Sequence, residues 1–242
     1  KYTEACYRNI SVKAPDGKSV YFSGIPEDVK TPSVAPQWAS FGPGEFSLVK
    51  GDAVNMNYSQ SITSGAVYSG VSQGPQAVRE GEVFEGYIYA KGDGILKVGL
   101  MQNGKWIAGS ELGKQGRAWV KHEFSFPVGS YHGDADFVVA VRDGSVQVDE
   151  VSLTTQKGRE IGGFRPDIFK AVKDLHPTCL RWPGGGYAAQ YDWKWGIGPQ
   201  EKRHRWDHWM WMDYDQNAFG TDEFIRFCRE INSEPVIVVS VG

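Results

Sequence analysis

Leu180-Arg181-Trp182-Pro183-Gly184-Gly185-Gly186-Tyr187 sets an arginine and two aromatic residues around a proline and three glycines. Lacking Cβ atoms, such a glycine run lets the main chain come close to a ligand, and it serves equally well as a plain turn. Downstream stand Tyr191-Asp192-Trp193-Lys194-Trp195-Gly196-Ile197-Gly198-Pro199, then Arg203 and Arg205, Asn217, and Gly220-Thr221-Asp222-Glu223-Phe224. Aromatic residues make up 13% of the chain, with nine Trp and eleven Tyr. Their rings offer a flat apolar face and a polar edge, which suits the apolar faces of sugar rings and equally fills β-sandwich cores. Tyr68, Trp106 and Tyr131 lie in or beside turns and are the candidate stacking residues of the first half. Two further groupings read as structure. Asp222 and Glu223 are adjacent, so on a helix they point about 100° apart, and acids in a first turn stabilise the helix dipole. His204 and His208 have i, i+4 spacing, but their surroundings are basic and hold no Cys, so loop structure or a substrate rim is the reading.

The elements that position these residues change character near residue 156. Before it, short alternating runs (Tyr7–Lys13, Ser19–Phe22, Val83–Ala90, Leu96–Met101, Val120–Phe126, Phe137–Val141, Ser145–Leu153) are separated by turn residues. Asn103-Gly104 between two apolar runs is the strongest hairpin signal, because both central residues of a type I′ turn need positive φ. Many short strands at this spacing predict an antiparallel sandwich or barrel. After residue 156 the period switches. Pro166–Leu175 predicts a short helix with Ile168, Phe169, Val172 and Leu175 on one face. Thr178–Trp182 predicts a strand, followed by an irregular loop to about Gly220. Thr221–Glu230 predicts a helix with Thr221 as N-cap, and Pro235–Val241 a continuous apolar strand of a buried parallel sheet. Helix, strand, loop, helix, strand opens an α/β alternation. A closed (β/α)₈ barrel needs about 200–250 residues, more than follow residue 156, so the sheet is read as part of a larger one.

The bulk properties narrow the partners. A net charge of −3 gives no reason to expect nucleic acid or an anionic membrane. No apolar run approaches the roughly 18–20 residues of a membrane helix. Lys1-Tyr2-Thr3-Glu4 shows no signal-peptide pattern, and Cys6, Cys179 and Cys228 form neither a disulfide framework nor a metal spacing.

Taken in order, the motifs from residue 159 to 242 resemble the early barrel of glycoside hydrolase family 51, the α-L-arabinofuranosidases. That family's pattern is Leu-Arg-aromatic-Pro-Gly-Gly, then Tyr-x-Trp and Ile-Gly-Pro, Arg, Trp, Asn, Gly-x-x-Glu-Phe, and Glu-Pro before a strand ending Asn-x-Gly. Upstream, Gly81–Lys91, Trp119–Phe126 and Val148–Leu153 are similar to the recurrent strands of carbohydrate-binding modules of families 4 and 9, inserted in one branch of the family. Gly163–Asp167 matches the junction back into the barrel.

The resemblance implies three regions: residues 1–36 as a hairpin or linker ending a preceding sandwich, 37–155 as a binding-module-like, jelly-roll-type β-sandwich, and 156–242 as the N-terminal part of a (β/α)₈ barrel. It implies a secreted, retaining glycosidase acting on arabinose side chains of arabinoxylan or arabinan, with no cofactor for catalysis. Trp211 falls on the family's active-site tryptophan, counting back from Asn217 and Gly220. Arg181, Gly185, Gly186, Tyr187, Asn217 and Ser240 fall on or beside the sugar-binding wall. Gly186 stands where the family has Asn or Cys, and Ser240 replaces the Asn of Asn-x-Gly. The two catalytic glutamates of such a double displacement fall outside these residues, so none of the carboxylates here is assigned as catalytic. The first barrel strand is not recognisable in residues 1–36. Asp149 matches the module position that ligates a structural calcium, with Glu45 as a partner, whereas calcium takes six to eight oxygens. A non-catalytic carbohydrate-binding piece and an endoglucanase of the same clan are the alternatives.

Overall fold

Alternation of apolar and polar residues shapes the larger part of the molecule. The structure, a computed structural model, describes residues 10–13, 19–22, 33–208 and 213–240, and of 10–13, 19–22, 207–208 and 213–214 it describes the backbone alone. Strands β1 (Ile10–Lys13) and β2 (Ser19–Phe22) pair antiparallel. Five strands, β4 (Glu45–Lys50), β5 (Tyr58–Ser64), β7 (Val83–Gly92), β10 (Val120–Pro127) and β12 (Gly144–Thr155), form a sheet in the order β10-β7-β12-β5-β4. The others, β3 (Ala39–Phe41), β6 (Ser69–Val78), β8 (Ile95–Gln102), β9 (Lys105–Lys114) and β11 (Gly133–Arg142), form a second in the order β3-β6-β11-β8-β9.

Both sheets are antiparallel and contribute to one core, so this part is a β-sandwich. On β7, Phe84, Ile88 and Ala90 are buried while Tyr87, Tyr89 and Lys91 face outward, which is the period of two that the sequence shows. Phe84, Phe124, Phe126 and Phe137 stack in a chain with ring centroids 6.0–6.3 Å apart. Each such ring taken from water contributes about 1.5–3 kcal/mol. Asn103 and Gly104, at φ 50° and 74°, close the expected two-residue hairpin between β8 and β9. One expected strand, Ser145–Leu153, carries a bulge: the register with β7 shifts between Asp149 and Ser152, and Glu150 has φ 49°.

Beyond β12 come helix α1 (Gln156–Glu160), helix α2 (Pro166–Asp174) and strand β13 (Cys179–Trp182), then a loop that contains helix α3 (Gly185–Ala188) and strands β14 (Trp206–His208) and β15 (Asp213–Asp215), and after it helix α4 (Thr221–Ile231) and strand β16 (Glu234–Ile237). β13 and β16 pair in parallel, from Cys179↔Glu234 to Trp182↔Ile237. Phe164, Phe169 and Phe227 pack edge and face at 5.0–6.0 Å, and Trp182 stacks on Phe224 at 5.5 Å. The β-rich region therefore adjoins a short α/β region.

Two expectations need correction here. The apolar strand is four residues rather than seven, and Val236 and Ile237 remain 44% and 36% exposed. Only Phe169 of the α2 face is buried, while Leu175 follows the last helical residue and is 78% exposed, because the aromatic cluster meets only one side of the helix. By internal contacts the chain divides into two compact units, residues 32–182 with 223–238, and residues 1–31 with 183–222 and 239–242.

Leu100 is fully buried in the sandwich core. Leu100→Ala is expected to lower unfolding free energy by about 2–5 kcal/mol, read from urea unfolding followed by far-ultraviolet circular dichroism. A loss below about 1 kcal/mol would place Leu100 outside the core that holds the sheets together.

Candidate functional site

The stretch from Pro183 to Asp222 has little regular secondary structure, so side chains must hold its loops. Pro183 is buried, and Gly185 takes φ 60°, a conformation that disfavours other residues and opens the one-turn helix α3. Tyr187, the third residue of that turn, points its ring at Tyr191 (5.1 Å) and Trp206 (5.4 Å). Its hydroxyl donates to Oδ2 of Asp215, whose Oδ1 accepts from the backbone N–H of Asn217 at 2.7 Å. Burial, and then the carboxylate beside it, push the Tyr187 phenol well above the ordinary tyrosine range. Trp195 completes the aromatic nest at 5.5 Å from Trp206 and 4.5 Å from the ring of His204.

Arg203 organises the other side of the loop. It is 4% exposed; its Nε donates to the Gly198 carbonyl at 2.9 Å and its Nη1 to that of Asn217 at 2.8 Å, with Asp222 3.8 Å from Nη2. Asp222 also accepts from the Gly198 N–H at 2.8 Å, so this first-turn acid of α4 ties the loop back to the helix. Thr221, expected as an N-cap, donates its hydroxyl to the Trp193 carbonyl at 2.7 Å. Gly196 and Gly220 meet back to back: a Cβ on Gly220 would lie 2.4 Å from Cα of Gly196, and one on Gly196 2.4 Å from the Thr221 nitrogen. Both glycines of the motifs are thus required by contact rather than by a ligand.

Beside this framework lies an open cleft of about 380 Å³, lined by Gln190, Tyr191, Asp192, Trp193, Lys194 and Ser240. Asp192 accepts from the Lys194 N–H at 3.0 Å, starting a 3₁₀ turn that leaves Trp193 41% exposed at the cleft. Ser240 donates to the Ala189 carbonyl at 2.8 Å, which brings the end of the described chain to this wall. An exposed indole beside hydroxyl, amide, carboxylate and ammonium groups can stack on one face of a polyhydroxylated ring and hydrogen-bond its edge.

The expected site residues separate on inspection. Gly185, Gly186, Tyr187, Asn217 and Ser240 share one compact unit, and Arg181, exposed on β13, belongs to the other. Trp211 lies outside the described residues. Asn217, expected as a sugar contact, is instead fully buried and donates from Nδ2 to the His204 carbonyl at 2.5 Å. Its φ of 52° is one that asparagine tolerates. Reasoning from sequence missed Asp215 and the exposed Trp193. Nothing local marks Asp215, whereas the Asp192 turn was a signal for Trp193.

In the sandwich, Tyr68 and Trp106 do come together, edge to face at 5.9 Å. Tyr68 donates to Glu111 at 2.5 Å, Lys97 lies 4.1 Å over the Trp106 ring, and Arg142 lies 5.4 Å over Tyr68. Tyr131 is not with them; its hydroxyl donates to the Asp134 carbonyl and its ring packs against the core. The two expected calcium ligands are also separate. Asp149 accepts from the N–H groups of Val54, Asn55 and Glu150 and so ties the 52–57 turn to the bulge. Glu45 pairs with Thr63, which is opposite Ser145, so it lies four residues along β12 and two strands away, roughly 16 Å off. No group of three or more His, Cys, Asp or Glu able to hold a metal occurs among the described residues.

With this geometry established, relatives can be set beside it. Residues 171–242 match the family model of the α-L-arabinofuranosidase 1 domain. Over 83 residues, 34% of this chain and 16% of the relative, the sequence is 43% identical to the intracellular exo-α-L-arabinofuranosidase of Bacteroides ovatus. Over 80 residues, 33% of this chain and 16% of the relative, it is 40% identical to the probable α-L-arabinofuranosidase C of Aspergillus niger. The chain thus spans about a sixth of the length of these curated relatives. The arabinose-bound MgGH51 α-L-arabinofuranosidase superposes with a TM-score of 0.71 at 17% identity, covering 86% of this chain and 39% of that one. That likeness speaks for the fold, a β-rich region with part of a barrel. The resemblance to glycoside hydrolase family 51 is thereby borne out as a partial match.

The raised Tyr187 phenol contributes stability that is intact below the ordinary tyrosine pKa of about 10 and is lost as pH rises above it. Tyr187→Phe should cost about 1–3 kcal/mol at neutral pH, by leaving Oδ2 of Asp215 without its donor. It should also flatten the fall in stability at alkaline pH. Urea unfolding across that range tests both; equal alkaline loss in the two proteins would remove Tyr187 as the cause.

Proposed function

We propose that the protein is a retaining α-L-arabinofuranosidase-like glycoside hydrolase, in which residues 183–222 with Ser240 build one wall of the arabinose site on a (β/α)₈ barrel. The observation that carries this reading is the match of residues 171–242 to the arabinofuranosidase domain, over the same stretch that folds into the Gly-rich turn, aromatic nest and open cleft. In this reading the backbone at Gly185 and Gly186 approaches the sugar, Trp211 stacks on its ring, and Ser240 borders the same wall. Tyr187, held by Asp215, sets the position of the glycine turn and acts through it. Arabinose side chains of arabinoxylan or arabinan are the proposed substrates.

A retaining double displacement needs one carboxyl to protonate the leaving oxygen and another, about 5–5.5 Å away, to attack the anomeric carbon. The acids around the cleft have other duties: Asp192 starts a 3₁₀ turn, Asp215 accepts from Tyr187 and Asn217, and Asp222 accepts from Gly198. In this reading the acid/base and nucleophile lie outside these 242 residues, as the family resemblance implies. The pairing of Tyr68 with Trp106 supports a second, subordinate reading, that the sandwich itself holds a carbohydrate without catalysis.

Assay of the full-length protein on an aryl α-L-arabinofuranoside, with the anomer of the first product followed by proton NMR, tests the reading. Release of arabinose with retention is expected, and residues 1–242 alone should release none. Trp211→Ala in the full-length protein should lower kcat/KM by about tenfold or more, the loss of one ring contact. Hydrolysis of the aryl glycoside by residues 1–242 alone would overturn the placement of the carboxylates, and absence of arabinose release by the full-length protein would overturn the activity.

A further inference from the structure

The open cleft of about 380 Å³ begins where the glycine turn ends. Helix α3 has four residues, so its two ends lie about 6 Å apart. Gly185 opens it, and a Cβ there would meet no atom within 4 Å, so the turn borders open space. Ala189 and Gln190 follow its other end, where the Ala189 carbonyl accepts from Ser240 at 2.8 Å. A sugar approached by the backbone at Gly185 and Gly186 therefore leaves the cleft, one helical turn away, for the residue next to it. Trp193 supplies the flat surface of that cleft, and its backbone is pinned on both sides. The Lys194 N–H donates to the Asp192 side chain at 3.0 Å, the Trp195 N–H to the Asp192 carbonyl at 2.9 Å, and the Thr221 hydroxyl to the Trp193 carbonyl at 2.7 Å. Trp195 turns into the aromatic nest, whereas the Trp193 indole stays 41% exposed, with the Lys194 Nζ 5.8 Å from its ring centre. Among the described residues, the side chains of Gln190 and Lys194 take part in no hydrogen bond or ion pair.

An indole left exposed on a fixed frame, beside an uncommitted amide and ammonium, suits a ligand with a flat apolar face and a polar edge. A polyanion is poorly served, because Lys194 is the one cation among the described lining residues and Asp192 offsets it. A pyranose meets both demands: the axial hydrogens of its chair make a flat face, and its equatorial hydroxyls donate and accept at the edge. A puckered furanose offers less flat surface. We infer that Trp193, with Gln190 and Lys194, is a specificity-determining platform for the leaving-group sugar, a pyranose of the chain that carries the arabinose. This role rests on the reading of the neighbouring wall as the arabinose site. The leaving sugar stays attached until its glycosidic bond breaks, so the indole touches it in the ground and transition states alike. Such uniform binding lowers KM and leaves kcat unchanged.

Kinetics of the full-length protein on two substrates test the platform: an α-L-arabinofuranosyl-xylotriose, and methyl α-L-arabinofuranoside, whose leaving group is too small to reach the indole. Trp193→Ala should lower kcat/KM on the oligosaccharide by about tenfold or more, through KM, and change it by less than about twofold on the methyl glycoside. Trp193→Phe, which keeps a ring, should recover part of the loss. Gln190→Ala, at a side chain that no hydrogen bond holds, should show the same selectivity with a smaller effect. Equal losses on both substrates, or none on either, would overturn the inference. Hydroxyl-radical footprinting of the unmodified full-length protein, mapped by mass spectrometry, needs neither a variant nor hydrolysis. Xylotriose should slow oxidation of Trp193 and leave Trp119 unchanged, and arabinotriose should protect less. An unprotected Trp193, or protection by arabinotriose only, would also overturn it. Arabinose release without protection of Trp193 sinks the platform and leaves the activity standing. Protection without release sinks the activity and the leaving-group role, and leaves a xylose-chain site in the cleft.

Discussion

A long loop with little regular secondary structure has to satisfy its own polar backbone, and here much of that requirement falls on one buried cation. Main-chain N–H and C=O groups removed from water cost about 1–3 kcal/mol each when left unpaired. Arg203 supplies donors to two carbonyls on separate turns of the loop and lies beside the acid that holds a third turn. A guanidinium suits this place because its donors are fixed in a planar fork and it cannot lose its proton. Once Gly198 and Asn217 are tied to it, Asp215 is placed for Tyr187, and Tyr187 for the glycine turn that precedes it. The wall of the cleft follows from a charge that never reaches the surface.

Most of the sandwich could be read directly from residue types. The Asn103-Gly104 pair demanded positive φ at two successive residues and obtained it, and the alternation on β7 divided inward from outward side chains correctly. Such features are local, and each rests on backbone preferences of a few residues. The bulge at Glu150 was not legible, because it follows from three amides converging on the Asp149 carboxylate, two of them nearly a hundred residues away in sequence.

The candidate site divides along the same line. Its glycine-rich turn and tryptophan-rich loop were visible as motifs, but the duty of each residue depended on long-range contact. Asn217 looked like a hand extended to a ligand and is a strut, since its side chain reaches a carbonyl thirteen residues upstream. Leu175 looked like core and is solvent-facing, since periodicity tells which side of a helix is apolar and not what lies against it. Relatives name the chemistry over residues 171–242, and the sandwich is matched at low identity in shape alone.

The abutment of Gly196 and Gly220 works as a rivet made of backbone alone. Neither position can accept even a methyl group while the other stays in place, so a side chain at either would force the junction apart. The chain between them is not under that rule. Apart from Gly198, Arg203, Asp215 and Asn217, whose contacts hold the loop, its side chains can be replaced while the junction keeps the entry to α4 where it is. The junction thus fixes where the loop rejoins the helix without calling on any side chain of its own.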